Sequence, residues 1–239
     1  MDHLAREHYY TTHFKQFQTA EMDEATFQYY HRKFNSVLPV DKDAKILEIG
    51  TGTGKFLATL KRLGYKNLRG IDVSPQMVPI ARKVSGEPVE LIADIPQYLG
   101  SFQNEFDRIF LLDVIEHIEK ASVIKYLNAI RLSLKQGGGL ILSTENMASP
   151  IGRTQRYLDF THEYNYTEIT LRQVLEIAEF KNVRIWEMPD KMPLRPRYLV
   201  FWIVRRVWFA LVKFLHKAER PNAVIPTIYG KEIIAGGDK

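Results

Sequence analysis

The run Ile46-Leu47-Glu48-Ile49 leads directly into Gly50-Thr51-Gly52-Thr53-Gly54, so an apolar segment containing an acid is followed by three alternating glycines. An apolar strand that opens into a glycine-rich turn before a helix brings bare backbone close to a ligand, which marks a nucleotide-type cofactor site. Spacing narrows the ligand. A dinucleotide fingerprint needs its third glycine at the position of Lys55, and Gly54 comes one residue early. A phosphate-cradling loop needs glycine where Ile49 stands and Ser or Thr where Phe56 stands. Both phosphate readings are weakened. With Glu48 just before the glycines, the loop favours a ligand carrying positive charge.

S-adenosylmethionine fits that description through its sulfonium and ammonium groups. Four motifs follow one another in the chain: Glu48-x-Gly50-x-Gly52-x-Gly54, Gly70-Ile71-Asp72-Val73-Ser74-Pro75, Ala93-Asp94, and Phe106-Asp107 through to Glu116-His117. Through these motifs the chain resembles the class I S-adenosylmethionine-dependent methyltransferases over roughly residues 40 to 190, and is most similar to the small-molecule branch of quinone and polysaccharide or other glycan biosynthesis. Asp72 closes a strand, where a carboxylate can accept hydrogen bonds from both ribose hydroxyls; the alternative for it is a helix-capping or surface acid. The resemblance implies that Asp94 accepts from the adenine amino group with Val73 and Ile95 flanking the ring, and that Leu112 and Asp113 meet the methionine end. Thr51 and Met77 complete the cofactor contacts expected beside Glu48, Gly50, Gly52 and Gly54.

These residues need a scaffold, and the alternation of apolar runs with helical patterns supplies one. Strands are expected over 45–49, 68–73, 89–93, 106–112, 140–144, 183–187 and 229–235. Helices are expected over 55–63, from Ser74-Pro75 to about residue 84, over 122–135 with Gly137-Gly138-Gly139 as the stop, and over 167–179. Such repeats give an α/β fold: a Rossmann-like, seven-stranded, mainly parallel sheet with helices on both faces. Ligands bind at the carboxyl ends of the strands in such sheets, and the acids named above fall at those ends.

The 239 residues read as one domain: a helical cap over 1–38, a cofactor-binding core over 40–188, an insertion over 189–228 and a last strand over 229–239. The cap is rich in aromatics (Tyr9, Tyr10, Phe14, Phe17, Phe27, Tyr29, Tyr30, Phe34), which either pack into the core or close over the cofactor. A composition 45% hydrophobic and 26% charged is that of a globular protein. The absence of cysteine excludes disulfides, thiolate catalysis and cysteine-ligated zinc. The start Met1-Asp2-His3-Leu4 has no basic region followed by an apolar core, so a cytoplasmic location is expected, with a peripheral place at the membrane surface open.

Methyl transfer from a sulfonium is a direct displacement, so the protein must align the reactants and exclude water. A hydroxyl acceptor is a poor nucleophile at neutral pH and needs a general base or a metal ion. His117, in Asp113-Val114-Ile115-Glu116-His117, and His162, in Asp159-Phe160-Thr161-His162-Glu163, are the candidate bases; a histidine that only caps or packs is the alternative. No metal is required by this reading. A second possibility is that Asp113, Glu116, His117 and His162 hold magnesium, manganese or zinc, since the pattern is similar to the metal site of small-RNA 2′-O-methyltransferases and some quinone O-methyltransferases. The segment 146–166 carries Arg153, Arg156 and Tyr157 where an acceptor bearing phosphate or carboxylate would be gripped, or it is a solvated loop.

Residues 197–217 read as an amphipathic basic helix, with Arg205, Arg206, Lys213, His216 and Lys217 sharing an arc of about 120° and apolar residues filling the rest. Paired arginines interrupt the apolar run too early for a membrane span. The helix either lies in a membrane interface, packs on the protein's own core or pairs in a dimer. The expected activity is O-methylation of a small-molecule, sugar or lipid-linked acceptor. A nucleic-acid methyltransferase is disfavoured, because Asn146 is followed by Met147 instead of the Asn-Pro-Pro-aromatic signature and no dense basic stripe exists outside the late helix. A cofactor-binding module without catalysis and a nicotinamide oxidoreductase are the alternatives from other classes.

Overall fold

The computed structural model describes residues 21–188 and 196–239. The expected cap aromatics Tyr9, Tyr10, Phe14 and Phe17 lie outside the described residues, and so do the side chains of Arg153 and Arg197.

Seven strands, β1 (Lys45–Ile49), β2 (Asn67–Asp72), β3 (Val89–Leu91), β4 (Phe106–Leu112), β5 (Leu134–Glu145), β6 (Lys181–Trp186) and β7 (Glu232–Asp238), make one sheet in the order β3-β2-β1-β4-β5-β7-β6. Only β7 runs against the rest. The helices are α1 (Glu24–Phe34), α2 (Lys55–Arg62), α3 (Met77–Ser85), α4 (Ile95–Leu99), α5 (Val123–Ser133), α6 (Gly152–Arg156), α7 (Glu168–Ile177) and α8 (Pro196–Glu219).

Side chains alternate across a strand, so a run that is apolar throughout must be buried on both faces. In β1, Leu47 and Ile49 join one core with Ile109, Leu111, Leu127 and Leu171, under α4, α5 and α7. Ile46 joins the other with Phe34, Phe56, Phe110 and Ile141, under α1, α2 and α3. The rings of Phe34, Phe56 and Phe110 pack edge to face with centroids 4.7–5.9 Å apart, and this fixes α1 to the sheet.

Three sequence expectations are corrected. The triple glycine does not stop a helix: α5 ends at Ser133, and β5 already begins at Leu134 and runs through Gly137–Gly139. There the pairing of β4 with β5 shifts register between Phe106 and Arg108, and a Cβ on Gly138 would lie 3.0 Å from the Phe106 carbonyl oxygen. The glycines admit a bulge. The helix after β2 starts at Met77 and not at Pro75, because the Ser74 amide is held by the Asp72 carboxylate at 2.8 Å and the chain is still turning. The last strand spans Glu232–Asp238, three residues later than expected, since Tyr229 is buried beside Phe209 and His216 of α8.

Candidate active site

The three loop glycines have left-handed backbones, with φ of +75° at Gly50, +50° at Gly52 and +77° at Gly54, but different surroundings. A Cβ on Gly50 would meet Val114 Cγ2 at 2.4 Å, and one on Gly54 would meet the Ala81 carbonyl oxygen at 2.6 Å. Only Gly52 faces open space, with nothing within 4 Å. Close packing within the protein therefore explains Gly50 and Gly54, and Gly52 is the one whose missing side chain leaves room for a ligand.

Asp72, at the end of β2, ties this loop down by accepting from the Gly52 amide on one oxygen and the Ser74 amide on the other, both at 2.8 Å. Burial pushes its carboxyl up, and the loop amides pull it back. A carboxylate oxygen has more than one acceptor direction, so both oxygens keep capacity for ribose hydroxyls. Val73 beside it is 44% exposed and offers an apolar edge at the strand tip. Met77 and Ile95 are buried, with Ile95 in the core. Asp94 is exposed and caps α4, accepting from the Gln97 amide at 2.9 Å.

Glu48 is buried, and its burial, followed by the nearby Asp72, raises its carboxyl well above the usual range. Its Oε2 is buried and makes no hydrogen bond within the chain, while the Thr51 hydroxyl lies beside the Asp72 carboxylate and helps to lower its pKa. Buried polar atoms are nearly always partnered, so the Glu48 oxygen points to a polar ligand at the loop. The residues fit an adenosyl sulfonium: open space at Gly52, ribose acceptors on Asp72, an apolar edge at Val73 and an unpartnered acid oxygen on Glu48.

Beyond the tip of β4 the chain turns sharply. Leu112 is half-buried, and Asp113 has a φ of +54°, accepts from the Ser143 hydroxyl at 2.9 Å and donates its own amide to the Ser143 carbonyl. Such a conformation in a residue other than glycine is strained and is often found at functional sites. Ile115–His117 then form a short 3-10 turn. Asp113, Glu116 and His117 point in different directions: Asp113 bonds towards β5, Glu116 is buried, and His117 turns to the loop after β5.

His117 Nδ1 lies 2.8 Å from the Thr161 hydroxyl, which lies 2.6 Å from Asp159 Oδ1. Burial pushes the Asp159 carboxyl up, but the Thr161 hydroxyl and amide help to hold it below its usual range. It is therefore an anion that only accepts. Thr161 spends its one proton on Asp159, so it must accept from His117 Nδ1–H, and Nε2 of His117 carries the free lone pair. Burial, then the neighbouring His162, lowers His117 to about 4, which keeps it neutral at physiological pH.

The His162 ring is 4.8 Å from that of His117, and burial lowers its pKa as well. Glu116, His117 and His162 each offer a ligand atom within 4.8 Å of the others, so three of the four candidate metal ligands come together and could hold a divalent cation. Asp113 stays outside that group. Around them His162 Nδ1 faces Glu145 Oε2 at 3.7 Å, the Thr144 hydroxyl lies beside the Glu116 carboxyl, and the buried Asn165 Nδ2 makes no hydrogen bond within the chain. Burial, then Asp113, raises the Glu116 carboxyl well above its ordinary range.

Of the expected acceptor residues, Arg156 is half-buried beside His162 and donates to Asn165 Oδ1, and Tyr157 is 82% exposed. Sequence reasoning missed Thr161 and Asp159 as partners of His117; the Asp-x-Thr spacing before His162 was the available signal. It also missed Lys33, which reaches from α1 to Glu232 at the start of β7. Lys33 is buried, and nearby Asp113 and then Glu232 raise its pKa against the opposing effect of burial.

A family profile described as "Methyltransferase domain" matches residues 22–185. The chain is 31% identical over 120 residues to the "Ubiquinone biosynthesis O-methyltransferase" of Cereibacter sphaeroides, covering 49% of this chain and 47% of that protein. It thus spans about half the length of the curated relatives it matches first. Among solved structures, a SAM-dependent methyltransferase from Archaeoglobus fulgidus superposes with a TM-score of 0.67 at 18% identity, covering 97% of this chain and 100% of that one. The Haemonchus contortus phosphoethanolamine N-methyltransferase 2 in complex with S-adenosyl-L-methionine gives 0.64 at 17% identity, covering 98% and 59%. At these identities the superpositions show a shared fold.

Proposed function

This chain belongs to the methyltransferase-domain family, the class I S-adenosylmethionine-dependent enzymes, and on that premise we propose that it O-methylates a small-molecule or lipid-linked acceptor bearing a hydroxyl. The observation that carries the reading is the chain Asp159–Thr161–His117, which assigns the proton to Nδ1 and leaves Nε2 of His117 as an acceptor, on a turn whose Val114 rests directly on Gly50 of the cofactor loop. Bound at that loop, the cofactor supplies a methyl group on a sulfonium, the leaving group of a direct displacement. Asp72 holds ribose hydroxyls, Glu48 offers a buried carboxyl oxygen whose ionised form the cationic end would favour, and Asp94 and Val73 sit at the adenine edge. His117 Nε2 accepts the proton that the acceptor hydroxyl gives up, while Thr161 and Asp159 keep the imidazole in the tautomer that can do so. Arg156 stands beside His162 to meet an anionic group on the acceptor. The 31% identity to a ubiquinone O-methyltransferase supports an oxygen acceptor of the quinol or phenol type.

Titration calorimetry with S-adenosylhomocysteine and with NAD tests the cofactor, and binding of the first alone is expected, with about micromolar affinity. Turnover against a panel of catechols, polyprenyl phenols and sugars then tests catalysis. Tight S-adenosylhomocysteine binding without methylation of any hydroxyl would reduce the chain to a cofactor-binding module.

A second reading is favoured by the convergence of Glu116, His117 and His162. These three would hold a divalent cation, which would lower the pKa of a coordinated hydroxyl enough for its proton to pass to water, without a protein base. Activity lost in EDTA and restored by magnesium, manganese or zinc selects this reading; activity unchanged in EDTA selects His117 as the base.

A further inference from the structure

Helix α8 turns its apolar side away from the protein. Phe201, Val204, Val207, Trp208, Leu211 and Phe214 are 43–72% exposed, and at 100° per residue they fill a continuous arc of about 140°. Packing on the chain's own core, one of the expectations for this helix, is not what is observed. The side that meets the body is the opposite one, where Phe209 and His216 lie against the buried Tyr229 with ring centroids 6.2 and 6.0 Å away. Arg205 and Lys217 border the apolar arc, about 40° and 60° beyond its two edges, with Arg206 and Lys213 further round on the polar side; the guanidinium of Arg206 sits 5.4 Å from the Trp202 ring centroid.

We infer that α8 docks on an anionic lipid bilayer, with the apolar arc in the acyl boundary and the flanking bases at the headgroups. Charge selects this occupant over a second copy of the chain. The helix carries four Lys or Arg side chains between Val204 and Lys217 against the single acid Glu219, so two-fold pairing of α8 with itself would set base against base. A headgroup layer of negative charge complements the same row at about 1 kcal/mol per base near the surface. Among the described residues, no helix is long and apolar enough to cross a membrane, which leaves an in-plane position for α8.

A second exposed apolar group supports the orientation. Ile151, Tyr157, Leu158 and Phe160 are 53–82% exposed on the loop that carries Arg156 and leads to His162. This loop leaves β5 at Glu145, opposite Glu232 of β7, and the Asn146 side chain donates to the carbonyls of Ile228 and Gly230 in the segment that returns from α8. Both groups therefore emerge at the end of the sheet that bears the candidate active site. An acceptor dissolved in the bilayer would reach His117 without crossing water; that part rests on the methyltransferase reading, whereas docking itself does not.

Flotation of the full chain with vesicles decides it. With phosphatidylcholine vesicles containing about 30% phosphatidylglycerol, wild type is expected to float at low salt. It should largely remain at the bottom with phosphatidylcholine alone or in high salt. Combined Phe201→Ser, Val204→Ser and Val207→Ser should cut the floated fraction about tenfold while S-adenosylhomocysteine affinity, measured in parallel, stays unchanged. Replacing Arg205 and Arg206 by Glu should remove the preference for the anionic vesicles. Wild type that never floats, whether it sediments as a monomer or a dimer, overturns the inference. So does a serine variant that floats as well as wild type. Loss of S-adenosylhomocysteine binding by wild type would instead count against the enzymatic reading and leave docking standing.

Discussion

Glu48 shows how a single residue can trade stability for a site. A carboxyl whose pKa is raised on folding contributes stability only below the ordinary carboxylate range and loses that contribution as pH rises, so at neutral pH this acid is a liability to the free protein. Glu48→Gln keeps the shape and removes the charge. Its thermal midpoint at pH 7.5 should rise by about 2–4 °C, the equivalent of about 1 kcal/mol, while calorimetry should show S-adenosylmethionine affinity falling about tenfold or more. A variant that is both more stable and binds as well as wild type would separate Glu48 from the cofactor. The glycines carry a related lesson. The sequence marks all three as ligand-facing, yet two of them are explained by Val114, 64 positions after Gly50, and Ala81, 27 positions after Gly54, contacts that exist only once folding has placed their elements side by side.

At the scale of elements, α1 is held by Phe34, which has no exposed surface and stands between Phe56 and Phe110. Phe34→Ala should cost about 3–5 kcal/mol in denaturant unfolding. Because the next turn of α1 carries Tyr30, and Lys33 reaches Glu232 beside the strand tips, the same change should weaken S-adenosylhomocysteine binding; binding that survives intact would confine α1 to a packing role. The strands that position the site were legible because β1, β2 and β4 are short segments whose apolar residues lead directly to Gly50, Asp72 and Asp113, a pattern confined to a few consecutive residues. Helices α4 and α6 were not, because five residues are too few to show a helical period. The contacts that finish the site left no local trace either: Thr161 meets His117 across 44 positions, and Lys33 meets Glu232 across 199. For α8 the wheel gave amphipathicity but not which arc faces the body, since that depends on Tyr229 arriving from the following segment.

Across the whole molecule, buried titratable groups at one end of the sheet set opposite pH slopes on stability. Glu48, Glu116 and Asp72, raised by burial, stabilise the fold most at low pH and lose that contribution as pH rises. The lowered His117 does the reverse. Between its ordinary value of 6.5 and its folded value of about 4, the unfolded chain binds a proton that the folded chain refuses, so its contribution is complete above about pH 6.5 and drains away as pH falls. One group of this kind removes about 2 kcal/mol between pH 7 and pH 5. His117→Gln cannot take up that proton in either state. Denaturant titrations at pH 7 and pH 5 should therefore show wild type losing about 2 kcal/mol more than the variant over this interval, whatever slope the carboxyls add, because the carboxyls are common to both proteins. Equal losses in the two proteins would mean that His117 titrates normally in the folded chain, and the neutral imidazole on which the proton-acceptor role depends would have to be abandoned.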